Sequence, residues 1–505
     1  MAWDYERSLD RAKRKWDETD GLIVTPLVRE TDFDKITLKE PRLVTGAHFY
    51  VGIHNFKALL GVEETDEEML RLFHLWAREV TRIIETDFDA VKIHFQGPRV
   101  HGVAYRPISD QAAVAVTAVL AAAAVREATK LHNEVHRLDK TKWATAAGVD
   151  TGEAIATRSG VAGDRELLFL GKPANNAAKI ISAGLCLTAD VADLLPEDVA
   201  EHLSDVGNGS CRFSATRDEL ASLAAGHGAQ WTPARSLERL TDDAAAIPAG
   251  SAKVADAKSA IDKGVLSLTN SKRVHGVSLY ADVDGFTGYV ADEQAADRLD
   301  EAVRAWHVIR AETRETLVTD HDGLRIQYQG DRIQGLVYLP THDRATVALT
   351  AIRTAAALTS VADQVLPEVI DGAALPLAIG MAAGTTLVSR LGEYGDRDTV
   401  CLAPATAEAA RIQEALAGGQ IGIDAELRDA LPAWLAEMFS WDLAARAYVV
   451  QGLTADELDR LESSESSGIG KAVLTAAGLA AAVGIGVATL NRRRDREPPL
   501  RPYGT

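Results

Sequence analysis

Asp282 and Asp331 are the residues of this chain best placed to do chemistry. Asp282 lies near the end of HGVSLYADVDGF, and Asp331 follows Gly330 in LRIQYQGDRIQGLVYLP. Two carboxylates on neighbouring strand ends can bind hard divalent cations, which prefer oxygen ligands. Mg²⁺ takes one or two carboxylates and completes its shell with substrate phosphates and water. Asp-Gly is also an ordinary turn signal, so Asp284-Gly285 alone would read as a solvated turn, and a lone turn aspartate would need no further role. Asymmetry lifts the two acids above that reading. A second copy of each stretch occurs earlier, as FYVGIHNF ending at Phe56 and VKIHFQGPRVHGVAYRP around Phe95, with Gly52 and Pro98 where the acids stand. A duplicated unit that keeps its acids in one copy points to a composite site between the copies, each supplying different groups.

The elements that must hold these residues follow from pattern. HGVSLYADVDGF alternates and is rich in β-formers, which predicts a strand ending at 282–285. DRLDEAVRAWHVIRAETRETL has apolar residues at helical spacing. LRIQYQGDRIQGLVYLP reads as two strands joined by a turn at Gly330-Asp331, followed by an Ala-rich helix from Ala345 to about Leu366. PLAIGMAAG and RDTVCLA read as strands and ATAEAARIQEAL as a helix. Hairpins mixed with helices argue for α+β domains. The repeat is long: Tyr50 answers to Tyr280 and Trp76 to Trp306, and Gly148–Ile180 runs without a gap against Gly380–Ile412. Such a period means two whole domains and not a solenoid. We divide the chain into an N-terminal helical segment (1–44), a first domain (45–225), a linker with helices (226–272), a second domain (273–462), a spacer (463–471), an apolar segment (472–490) and a basic tail (491–505). ERSLDRAKRK near the N-terminus and ARSLERL near Leu237 are candidate equivalent helices opening each copy.

The motifs Tyr280-Ala-Asp-Val-Asp-Gly-Phe-Thr287, Gln329-Gly-Asp331, Gly148-Val-Asp-Thr-Gly152 and Leu170-Gly-Lys-Pro-Ala-Asn-Asn-Ala-Ala-Lys179 resemble those of the class III nucleotidyl cyclases. The resemblance covers roughly 45–185 and 274–416. It implies two ferredoxin-like, palm-type domains paired head to tail as an intramolecular pseudo-dimer, with the active site in the groove between them. It further implies two Mg²⁺ or Mn²⁺ ions on Asp282 and Asp331, with the Val283 carbonyl as an extra ligand. Asn175 matches the ribose-orienting Asn, and Lys179 stands where the family has an Arg that stabilises the transition state. Phe286 and Thr287 complete the substrate-binding motif, and His94 and Leu168 fall at the base-reading positions. The second copy has Gln327 and Val400 at those base positions, and Ala407 and Arg411 opposite Asn175 and Lys179. One groove is thus competent, and the other holds Gly52, Pro98, Ala407 and Arg411. The implied reaction turns a nucleoside triphosphate into a 3′,5′-cyclic mononucleotide and pyrophosphate. The base positions reproduce neither the adenylyl nor the guanylyl pattern, so a pyrimidine is a candidate; the broad family includes antiphage cyclases making cyclic UMP or CMP. The alternative is a silent, nucleotide-binding sensor.

Composition narrows the setting. A net charge of −19 argues against a nucleic-acid partner, whose footprint would be basic. Three cysteines, Cys186, Cys211 and Cys401, lack metal-ligand spacing and fit a reducing compartment. The N-terminal MAWDYERSLDRAKRKWDE has no apolar core, so no signal peptide is expected. Ala472–Leu490 carries no charge and is followed by Arg492–Arg494. That length suffices to span a bilayer, where ~20 apolar residues are needed. Gly478, Ala482 and Gly486 are spaced for close helix packing, so a homodimer through this segment is a further expectation. The arginines favour a body outside the cell, whereas the cysteines and N-terminus favour a cytoplasmic one. We expect a single-pass protein of the cell membrane with a cytoplasmic catalytic body.

Overall fold

In the computed structural model, each copy folds around a long central strand, Arg42–Ile53 in the first half and Ser271–Val283 in the second. Residues 3–60, 66–138, 142–159, 166–371, 374–393 and 396–466 are described. The apolar segment 472–490 lies outside them. The central strand of the first half is flanked by Arg99–Ala104 and Thr145–Ser159, both antiparallel to it. That of the second half is flanked in the same way by Arg332–Val337 and Leu377–Glu393. Among the described residues each half builds a nine-stranded sheet, and the two strand orders correspond one to one. The duplication read from the sequence is therefore a duplication of topology, and the expected α+β architecture is present.

Helices cover one face of each sheet. Asp66–Arg82 and Gln111–His136 bury their apolar residues in the first core, and Leu299–Glu315 and Arg344–Ser360 do so in the second. Gln111–His136 and the segment 344–368 are long and apolar enough to cross a membrane, but both are largely buried within the protein and serve as core helices. The other sheet faces meet at the junction of the halves. Two ion pairs at equivalent positions tie them there: Lys92 to Asp398 at 2.8 Å and Arg325 to Glu166 at 2.6 Å.

The two opening helices are exchanged. Tyr5–Glu18 belongs to the first copy in sequence yet packs on the second, with Leu9 and Ala12 in that core. Its Ser8 donates to Glu312 at 2.7 Å, and Arg11 meets Asp320 at 2.8 Å. Pro233–Ala246 opens the second copy yet packs on the first, where Ser236 donates to Glu79 at 2.5 Å and Arg239 meets Asp87 at 2.7 Å. Each acid lies on the helix, or on its widened π turn, that leads into a sheet hairpin. The stretch 226–272 is accordingly no free connector, since its helix is a structural part of the first half.

Candidate active site

Asp282 is the penultimate residue of its strand. Its neighbour Ala281 pairs with Ile333, which brings the strand end beside the 330–331 turn. The two carboxylates stand half-buried together at this corner. Burial pushes Asp282 up to about 6; Arg332, Lys179 and a 3.4 Å hydrogen bond from Gln413 pull the other way, and Asp284 reinforces the rise. Asp331 is held well above the usual carboxylate range by burial and then by the charge of Asp282. Two acids that destabilise each other's charge fit a divalent cation. Among the described residues no cluster of three or more His, Cys, Asp or Glu could hold a metal by itself. The two acids therefore suit an ion whose shell substrate phosphates complete. Val283 ends the same strand, buried and paired with Leu377.

The first half contributes through the short helix Lys172–Lys179. Asn175 and Lys179 are four residues apart, so they share one face of it. This helix lies against its sheet with no room to spare. A Cβ built on Gly148 would come within 2.1 Å of the Ala177 carbonyl oxygen, and one on Gly380 within 2.3 Å of the Gln413 nitrogen in the equivalent place. The glycine of GVDTG is thus what lets the helix sit low enough to bring Asn175 to the groove. Asn175 donates to the Thr287 hydroxyl across the halves at 2.9 Å. Lys179 is near enough for its charge to act on Asp282.

A cavity of about 360 Å³ spans the junction and is lined by Gly330, Asp331, Phe286 and Thr287 from the second half and by Lys172, Asn175 and Asn176 from the first. Beside it lies a far smaller one of about 20 Å³, lined among others by Tyr50, His94, Gln96, Arg99, Leu168, Asn175 and Gly330. Of the nine residues singled out in the sequence, Asp331, Asn175, Phe286 and Thr287 line the larger cavity and His94 and Leu168 the smaller, whereas Asp282, Val283 and Lys179 line neither.

No family model matches the chain. It is 29% identical over 460 residues to a uridylate cyclase of Pseudomonas aeruginosa, covering 84% of this chain and 86% of the relative. It is 28% identical to a uridylate cyclase of a Rhizobium species, covering 83% of each. Among solved structures, a class III adenylyl cyclase-like ATP-binding protein from Pseudomonas aeruginosa superposes with a TM-score of 0.77 at 26% identity, over 91% of this chain and 99% of that one. The relatives and the superposed structure together support a class III nucleotidyl cyclase family for this chain.

The second groove of this cyclase differs in the way its sequence requires. Gly52 leaves no carboxylate, and a Cβ there would lie 3.3 Å from the Arg99 side chain. Arg411 is held by Glu408 at 2.6 Å and by the Ala445 carbonyl at 2.7 Å. Lys57 meets Glu408 at 3.2 Å across the halves, at positions equivalent to Thr287 and Asn176. An ion pair thus bridges the place where the first groove opens. Sequence reasoning passed over three groups of the open site. Asp150 lines the larger cavity and accepts from Thr188 at 2.6 Å. Gln413 links Arg332, at 3.0 Å, to Asp282. The Gln96–Arg99 pair lies in the smaller cavity, and its signal was in plain view, since Gln-Gly-x-Arg occurs in both copies.

Proposed function

We propose that this cyclase converts a pyrimidine nucleoside triphosphate, UTP foremost, into its 3′,5′-cyclic monophosphate and pyrophosphate in the groove between Asp282/Asp331 and Asn175/Lys179. The observation that carries the reading is that Asp331 and Asn175, from opposite halves, line one cavity. The uridylate cyclases among its relatives support a pyrimidine, and His94 and Leu168 stand with Asn175 around the smaller cavity beside the groove.

Asp282 and Asp331, with the Val283 carbonyl, would hold two Mg²⁺ or Mn²⁺ ions, which when bound lower the pKa of a ribose 3′-hydroxyl and offset triphosphate charge. Asn175 orients the ribose, itself steadied by Thr287. The 3′-oxygen attacks the α-phosphorus in line, its proton passes to solvent, and the bond to the pyrophosphate oxygen breaks. Lys179 offsets the charge that gathers on the phosphoryl group. Positioning and electrostatics supply most of the rate in such transfers. Phe286 and Thr287 close the groove over the phosphates.

The enzyme is incubated with each of the four ribonucleoside triphosphates and Mg²⁺ or Mn²⁺, and pyrophosphate and cyclic product are measured. UTP turnover that is lost in Asp282→Ala is the expected result; unchanged turnover in that variant overturns the metal assignment. Lys in place of Arg at 179 favours a second reading, a nucleotide-binding sensor without turnover, and nucleotide binding with no pyrophosphate release would select it. We further read 472–490 as a single membrane helix, able to pair with a second copy, that anchors a cytoplasmic body at the cell membrane. Digestion of the body by protease added outside intact cells would overturn that orientation.

A further inference from the structure

The smaller cavity contains a chain of hydrogen bonds whose polarity is fixed at one end. A guanidinium only donates, and Arg99 donates through Nη2 to Gln96 Oε1. The Gln96 carboxamide therefore has one orientation available, with its Nε2 toward His94 Nε2 at 2.8 Å. A ring nitrogen that receives a donor carries no proton. Burial keeps His94 neutral, its pKa pushed down to about 4, so its one proton must sit on Nδ1. Among the described residues, Gln96 is the hydrogen-bond partner of His94. The Nδ1–H is thus left for whatever enters the space that His94 lines, both here and in the adjoining cavity of about 380 Å³. The second half repeats the arginine–glutamine pair as Arg332 and Gln329 but has Gln327 in place of the histidine. The repeated pair acquires a ring to orient in one copy, which is the copy that supplies Asn175.

We infer that Arg99 and Gln96 are positioning residues that hold His94 as its Nδ1–H tautomer, and that His94 in consequence admits a pyrimidine with an oxo group at C4 and rejects one with an amino group there. This rests on the cyclase reading of the groove. The two pyrimidines differ at that edge in hydrogen-bonding sense: a C4 carbonyl accepts, and a C4 amine donates. A donor facing a donor in a buried pocket leaves both unpaired, and sites built on one hydrogen-bond polarity discriminate strongly. We expect UTP to be preferred over CTP by at least ~100-fold in kcat/KM.

The test compares the whole protein with Gln96→Leu and Gln96→Glu. Leucine removes the donor and frees the ring. Glutamate still accepts from Arg99 but now also accepts from His94, which draws the proton to Nε2 and leaves Nδ1 an acceptor. The expected result is a UTP/CTP ratio in kcat/KM that falls at least tenfold in Gln96→Leu and further in Gln96→Glu. Histidine ¹⁵N shifts, assigned with His94→Asn, should show Nδ1–H in the parent and Nε2–H in Gln96→Glu. A ratio unchanged in both variants, or Nε2–H in the parent, overturns the inference. If no triphosphate is cyclised by the parent, the proposed function fails, while the ¹⁵N shifts still decide whether the relay exists.

Discussion

Lys179 is the position at which this active site departs furthest from its family. It shares a helix face with Asn175, and its charge acts on Asp282. Lysine offers a point charge, whereas arginine offers a planar fork matched to phosphate oxygens. A residue that acts mainly on charge developing in the transition state should alter kcat more than KM. Lys179→Ala is therefore expected to lower kcat for UTP by about 100-fold with little change in KM, the scale seen when one preorganised donor is removed. Lys179→Arg should match or exceed the parent kcat. Steady-state kinetics by pyrophosphate release check both, and an undiminished kcat in the alanine variant would remove Lys179 from the mechanism.

At the scale of elements, the site depends on how close a short helix lies to its sheet. Gly148→Ala places a methyl group where the Ala177 carbonyl already is. Overpacking of this kind costs about 1–3 kcal/mol, and the helix must rise, taking Asn175 and Lys179 away from the acids. We expect a lower melting temperature together with a loss of kcat, measured by calorimetry and turnover; an active variant of parental stability would mean that the contact relaxes freely. The exchanged helix Pro233–Ala246 carries a pH dependence. Burial raises Glu79 from 4.5 to about 7, outweighing Arg239 at 2.7 Å. Because the folded value lies above the unfolded one, the stabilisation is whole below pH 4.5 and is lost as pH rises through 7. Glu79→Gln should remove that loss, on the order of 3 kcal/mol. The stability difference between parent and variant, followed by urea unfolding from pH 4.5 to 7.5, should fall with rising pH. A constant difference would contradict the assignment. The strands and helices around the site were legible in the sequence, since alternation and helical spacing mark them and the second copy checks each one. Asp282 and Asp331 were legible through their mismatch between copies, and Asn175 through the family resemblance of its motif. The Arg99–Gln96–His94 relay was not, because its meaning lies in the direction of hydrogen bonds and not in residue types. Nor was the ion pair of Lys57 with Glu408 across the second groove, whose separation along the chain hides their contact.

For the whole molecule, the decisive feature is that each half is completed by a helix of the other. The likeness of ERSLDRAKRK to ARSLERL marked the two helices as equivalent, but no local pattern states which core a helix joins. The structure answers with a reciprocal exchange: Leu9, Ala12 and Leu22 enter the second core, and Trp231 enters the first. The anchoring ion pairs are largely buried, with the Arg11 and Arg239 side chains 12% and 16% exposed and their acids nearly inaccessible. Removing Arg11 or Arg239 strips Glu312 or Glu79 of its guanidinium and leaves Asp320 to Arg7 and Asp87 to Arg235, at a cost of up to about 3–5 kcal/mol. Neither half can then unfold without stripping the other of a helix and exposing apolar surface in both cores. The parent should accordingly melt in one calorimetric transition despite its two-domain length. Arg11→Ala and Arg239→Ala should each lower that transition. The double variant, in which both helices are loosened, should split it into two, because each half then keeps only its own core. Catalysis should fail at the lower of the two, since the groove needs Asp331 from one half against Asn175 from the other. Two resolved transitions already in the parent would mean that the exchange joins the halves without coupling their stability.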